Sequence, residues 1–211
     1  GAFQTLKARN SELQYPLLSV LSRTKTRESY ETLKALLKRG LPSTGYPNLL
    51  NPSITDSLEL TEILMPDLLE YCSDTLFVLF MPDVLLKLQE AGKVSKEQLA
   101  GVQPSVLALG TYYSDSMKAD SRYFPAGFNR YCNLLAFFND RASLNQLRIF
   151  SESPNIDVLN AVVMAMLSND IVPEDAWIIK LAKDDFYRMH LFEKLKEENK
   201  PALFPASMAK Q

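Results

Sequence analysis

Apolar residues return along this chain at helical intervals. In TRESYETLKALLKRG, Tyr30, Leu33, Leu36 and Leu37 fall on one face, and Gly40 supplies a C-terminal stop. In PAGFNRYCNLLAFFND, Phe124, Phe128, Tyr131, Leu135 and Phe138 make a stripe about three and a half residues apart. Ile156, Leu159, Val163 and Met166 repeat the pattern in PNIDVLNAVVMAML. The run TLFVLF over 75–80 is the one segment with strand character; with no partner strand in the sequence, it reads as a buried helix.

The starts of these helices are written largely with proline. Met65-Pro66-Asp67 returns sixteen residues later as Met81-Pro82-Asp83, and Pro173-Glu174-Asp175 makes a third case. Proline in the first turn loses nothing, because its missing N–H would be unpaired there, and an acid beside it meets the positive end of the helix dipole. Pro154, behind Ser153 as a cap, gives a fourth start. The competing reading is a kink in a continuing helix, which moves a boundary without changing the class.

One stretch echoes another. Val94-Ser95-Lys96-Glu97-Gln98-Leu99 aligns with Val172-Pro173-Glu174-Asp175-Ala176-Trp177 at an offset of 78, and both read as helix, tight turn, helix. Ser95 and Gln98 have the spacing of a capping box. No constant period follows, so the pattern implies stacked helical hairpins rather than a repeat array. Further on, Trp177, Ile178, Leu181, Met189, Phe192 and Leu195 supply more apolar surface than one stripe needs, and the phase slips at Lys183-Asp184-Asp185. That slip predicts a kink or a new helix start at Asp184. In the closing ENKPALFPASMAKQ, Leu203 and Phe204 are the residues able to dock back on the domain.

The expected architecture is therefore all-α, with about eight to ten helices in an irregular bundle or a short superhelical stack of helical hairpins. Residues 1–199 read as a single domain with a sub-boundary in a loop at 114–123, and 200–211 as a C-terminal linker or tail.

Composition narrows the function classes. At 211 residues and 46% hydrophobic content the chain can bury an ordinary core without staples. Cys72 and Cys132 lie far apart and form no CxxC, which suggests neither a disulfide framework nor a zinc site and makes a reducing compartment the expectation. No apolar run approaches the roughly 20 residues of a bilayer span, so a soluble protein is expected, and the leading Gly-Ala reads as a cloning scar on an excised fragment. The net charge of −2 argues against general affinity for nucleic acid, although charge is uneven along the chain. Residues 1–40 carry eight basic side chains against three acids, whereas residues 41–83 carry seven acids and no base. Two helix faces attracting each other weakly, or a bipolar surface steering a charged partner, would both look like this.

Catalytic chemistry has little to stand on. The one histidine, His190, sits in DDFYRMHLFEKL, and no HExxH, phosphate-loop or dinucleotide fingerprint occurs. No cofactor and no metal is expected. Glu59 with Glu62, and Asp184 with Asp185, have spacings that any solvated helix face shows. An enzyme around His190 with a carboxylate, Cys72 or Cys132 is the alternative from another class, because such partners meet only in the fold.

The favoured reading is a non-catalytic module that binds a protein partner. TYYSDSMKADSRYFPAGFNRY places Tyr112, Tyr113, Arg122, Tyr123, Arg130 and Tyr131 within twenty positions around the expected loop. Tyrosine and arginine anchor interfaces because each combines large contact area with directed hydrogen bonds. The same aromatics would serve equally to tie the loop to the protein's own core. A third reading is a structural helical segment of a longer chain. Helix followed by Gly-x-Val and Ser/Pro-x-Glu phrasing, as at Gly92-Lys93-Val94 and Ser95-Lys96-Glu97, resembles helical domains in secreted effectors of intracellular bacteria. The resemblance covers two short segments; it implies one domain of a larger effector-like protein, cytoplasmic or delivered to a host cytosol.

Overall fold

The structure, a computed structural model, describes residues 20–21, 23–37, 85–86, 88–89, 91–92, 94–120, 122–125 and 127–208. The Met65 and Met81 phrases, TLFVLF, Gly40 and Cys72 lie outside the described residues. All regular structure among those described is helical: α1 (Arg27–Leu37), α2 (Lys96–Ala100), α3 (Gln103–Ala119), α4 (Phe128–Phe138), α5 (Arg141–Ser151), α6 (Ile156–Ser168), α7 (Asp175–Lys183), α8 (Tyr187–Glu197) and a 3-10 turn, η1 (Pro201–Leu203). The class is all-α, a multi-helix bundle. None of these helices is long and apolar enough to cross a membrane. The chain divides into two compact units, Gly1–Ser105 and Val106–Gln211.

In the first unit, Tyr30 and Leu33 are buried on α1, as their spacing predicts. Thr26 and Ser29 cap that helix reciprocally: the Ser29 N–H donates to Thr26 Oγ1 at 3.2 Å and the Thr26 N–H to Ser29 Oγ at 3.1 Å. The capping box read at Ser95 is present, with the Gln98 N–H on Ser95 Oγ at 3.2 Å and the Ser95 N–H on Gln98 Oε1 at 2.9 Å.

The second unit is built around α6, which packs against α4, α5, α7 and α8. Its central place follows from composition: IDVLNAVVMAML is apolar nearly all round, and such a helix can only be interior. Leu159, Val163 and Met166 are buried, and Ile156 is half-buried at the helix start. The cap is Asn155, whose side chain accepts from the Asp157 N–H at 2.9 Å, and not Ser153. Ser153 instead accepts from the Asn155 N–H and shapes the approach. The α4 stripe packs inward with Phe128, Tyr131, Leu135 and Phe138 buried, while Phe124 lies ahead of the helix and half-buried.

Two residues join α4 to α5. Asn139, at φ 50, ends α4 in the left-handed conformation, and Asp140 begins α5. The Asp140 carboxylate accepts from the Ala142 N–H at 2.8 Å, the Ser143 N–H at 3.2 Å and Ser143 Oγ at 2.7 Å. Desolvation raises its pKa, but the hydrogen bonds from Ser143 and Ala142 outweigh this and hold the carboxyl below its usual range. Asp140→Ala is expected to cost about 1 kcal/mol in urea unfolding at neutral pH. Because the folded pKa is depressed, the contribution is complete above the unfolded value of roughly 3.9 and is lost as pH falls through the lower folded one. The gap between wild type and variant should close over that acid range.

The sequence echo is real as chain geometry and shifted by one residue as packing. Val94 is 4% exposed and Val172 57%, while Pro173 is buried in its place. Glu174 rather than Pro173 stands at the N-cap of α7.

Candidate functional site

The polar stretch after Tyr113 is helix and not loop. α3 continues to Ala119, so residues 114–119 of the expected loop belong to it, and the connection to α4 is confined to 120–127. Its buried face carries the helix onward: Val106, Leu109, Tyr113 and Met117 face inward at helical spacing. On the outer side, Ser116 Oγ donates back to the Tyr112 carbonyl at 2.9 Å, and Lys118 lies 3.6 Å from Asp115.

This extension sorts the six Tyr and Arg residues into two groups. Tyr113 and Tyr131 are fully buried, their ring centroids 4.7 Å apart, in a cluster with Phe128 and Phe150. These two are core residues and present no surface to a partner. Burial pushes both phenol pKa values up, and neither hydroxyl has a hydrogen-bond partner among the described residues. Tyr112 and Tyr123 are 52% and 47% exposed, and Arg122 and Arg130 are also on the surface. Arg122 Nε lies 3.8 Å from Asp120 Oδ1, which also accepts the Arg122 N–H at 2.9 Å, so the acid in the loop already engages this arginine.

Two surface cavities on the second unit contain none of these six. One, of about 300 Å³, lies between the ends of α3 and α5 and is lined by residues including Met117, Lys118, Ile149 and Pro154. The other, of about 400 Å³, is a groove along α8 lined by Asp185, Arg188, Met189, Phe192, Phe204 and Met208, with Glu193 at its side. The helix break beside it sits where the phase slip predicts. α7 ends at Lys183, and the Asp184 carboxylate accepts from the Phe186 N–H at 3.0 Å and the Tyr187 N–H at 3.1 Å to start α8. Arg188 donates from Nε to the Ala182 carbonyl at 2.9 Å and from Nη2 to Asp185 at 2.7 Å. The Tyr187 hydroxyl donates to Asp157 Oδ1 and ties α8 to α6.

With α8 so oriented, Leu191 and Leu195 point into the core shared with α6 and α7, and Phe186 and Met189 are left outside, 81% and 67% exposed. They are the two most exposed large hydrophobic side chains of the described residues. No family model matches the chain, and no similar protein was found among curated proteins or solved structures.

Sequence reasoning placed the surface elsewhere, although a signal for α8 was present. An apolar set too wide for one stripe, combined with a new helix start, leaves some members facing solvent. The candidate reactive groups are scattered. His190 is exposed on α8, and Cys132 is fully buried with its thiol pKa pushed up by desolvation, which disfavours the thiolate a nucleophile needs. Among the described residues, no three His, Cys, Asp or Glu side chains are grouped to hold a metal ion.

Proposed function

We propose that this chain is a non-catalytic α-helical module that binds a protein partner, as one domain of a larger, effector-like protein. One observation carries the reading: Met189, 67% exposed, lines an apolar groove together with Asp185, Arg188 and Glu193, and Phe186, 81% exposed, stands one helical turn before it. Exposed apolar surface of this kind, bordered by charge, is how binding sites differ from ordinary surface, where hydrophobic residues are scattered singly. Methionine adds adaptability, since an unbranched thioether can repack against varied partners. Tyr112, Arg122, Tyr123 and Arg130 supply a second, more polar surface between α3 and α4.

The enzyme alternative has no comparable support, with His190 on an open helix face and Cys132 sealed in the core. The test is a quantitative pull-down with the full chain, comparing wild type, Phe186→Ser with Met189→Ser, and Arg122→Ala with Tyr123→Ala. All four side chains are exposed, so unfolding free energies should stay within about 0.5 kcal/mol of wild type. The Phe186/Met189 variant is expected to weaken capture of the partner by about tenfold or more. Equal capture by both variants would overturn the assignment of the surface. A chain that captures nothing alone would favour a structural segment whose apolar face meets a neighbour in the same protein.

A further inference from the structure

The groove along α8 has two walls of different kinds. One is α8 itself, fixed to α6 through Leu191, Leu195 and Tyr187. The other is the segment after α8, which contributes Phe204 and Met208. Resting on the proposed function, we infer that residues 200–208 form a strap that opens independently of the helical core and controls how much apolar surface α8 presents.

The attachment of the strap carries the inference. Asn199, at φ 57, turns the chain sharply out of α8, and the Lys200 N–H closes the turn on the Leu195 carbonyl at 2.7 Å. Beyond that point the strap's backbone hydrogen bonds among the described residues are all local: Leu203 N–H to the Lys200 carbonyl, Phe204 N–H to Pro201, Met208 N–H to Pro205. Pro201 and Pro205 have no N–H to offer. The strap is therefore held down by side chains. Phe204 is 8% exposed and packs edge-on against Phe192 with centroids 5.1 Å apart, Leu203 and Met208 are partly buried on the same cluster, and Lys200 Nζ bonds Asp170 Oδ1 at 2.5 Å. That last pair is screened, because the Asp170 side chain is almost wholly in solvent.

With the Lys200 N–H left on α8, lifting residues 201–208 breaks no backbone hydrogen bond to a helix among the described residues and removes a single large anchor. Segments with few buried contacts and only local hydrogen bonds open at lower free energy than the core. Phe192 and the Phe204 site would then join Met189 in one wider apolar face, one helical turn from Phe186. The strap thus acts as an internal competitor for the surface that the partner uses.

Hydrogen exchange on the full chain tests the opening without any partner. In wild type, amides of 200–208 should exchange at least about tenfold faster than those of α6. Phe204→Ala should speed the strap further and leave α6 protection unchanged. Anilinonaphthalene sulfonate reports the exposed face: its fluorescence should rise severalfold in Phe204→Ala and fall back when Phe186→Ser and Met189→Ser are added. Strap amides exchanging only at the rate of α6, or α6 protection lost in step with the strap in Phe204→Ala, would overturn the inference and make Phe204 an ordinary core residue. No dye response in Phe204→Ala would overturn the control of the surface. Failure to capture a protein would remove the proposed function alone, since neither measurement here uses one.

Discussion

Phe128→Ala is expected to cost about 3–5 kcal/mol of unfolding free energy, the range for truncating a well-packed buried aromatic residue. Phe128 is fully buried and sits where three helices meet. Its ring is 4.9 Å from Phe150 of α5 and 5.3 Å from Tyr113 of α3, both edge-on, and 6.1 Å from Tyr131 of its own helix. Phe124 closes the fourth side at 5.7 Å. Edge-to-face pairs of this kind each add about 0.5–1.5 kcal/mol beyond area burial. Truncation removes several at once and opens a cavity that four rings from different segments cannot easily fill. Phe128→Leu should recover part of the loss, because it restores volume without the ring edges. Urea unfolding followed by circular dichroism measures both variants; a loss for Phe128→Ala under about 1 kcal/mol would mean that the cluster collapses onto the gap and is not a packed junction.

The same cluster shows how much of the molecule its sequence disclosed. Period alone identified the buried faces of α4 and α6, since a stripe at helical spacing has only one way to be satisfied. The Ser95 capping box was equally legible, because both partners lie within one turn of chain. The end of α3 was not. Ser114, Asp115, Ser116 and Asp120 have the composition of a loop, yet the buried Tyr113 and Met117 extend the inward face past them, and packing overrides the weak preference of serine and aspartate for turns. The strap was foreseen only as two apolar residues able to dock, since nothing local in Leu203 and Phe204 says which surface receives them.

Residue identity misled most at the tyrosines. Adjacent helical residues point about 100° apart, so Tyr112 and Tyr113 cannot share an environment, and one faces solvent while the other faces the core. Tyr131 lay on the apolar stripe with Phe128 and Leu135, and the stripe was the better guide than the residue type. At the α8 surface the difficulty was of another kind. The excess of apolar positions was visible, but which of them faced outward depended on where Asp184 restarted the helix.

The two buried tyrosines give the sharpest test of that distinction. Tyr131→Ala, and separately Tyr113→Ala, should each lower stability by about 3–5 kcal/mol, as deleting a buried ring does. The phenylalanine variants should behave in the opposite way. Neither hydroxyl has a partner among the described residues, and a buried hydroxyl without one costs about 1–3 kcal/mol. Tyr131→Phe and Tyr113→Phe keep the ring pair at 4.7 Å and the contacts to Phe128 while removing the stranded oxygen. They are expected to be neutral or stabilising by up to about 1–2 kcal/mol in urea unfolding. An interface role predicts the reverse pattern, in which either Phe variant leaves stability alone but weakens capture of a partner by losing its directed hydrogen bond. A Phe variant that loses more than about 1 kcal/mol would show that the hydroxyl is satisfied in the folded protein, and a loss of binding without a loss of stability in either Ala variant would return these tyrosines to the surface.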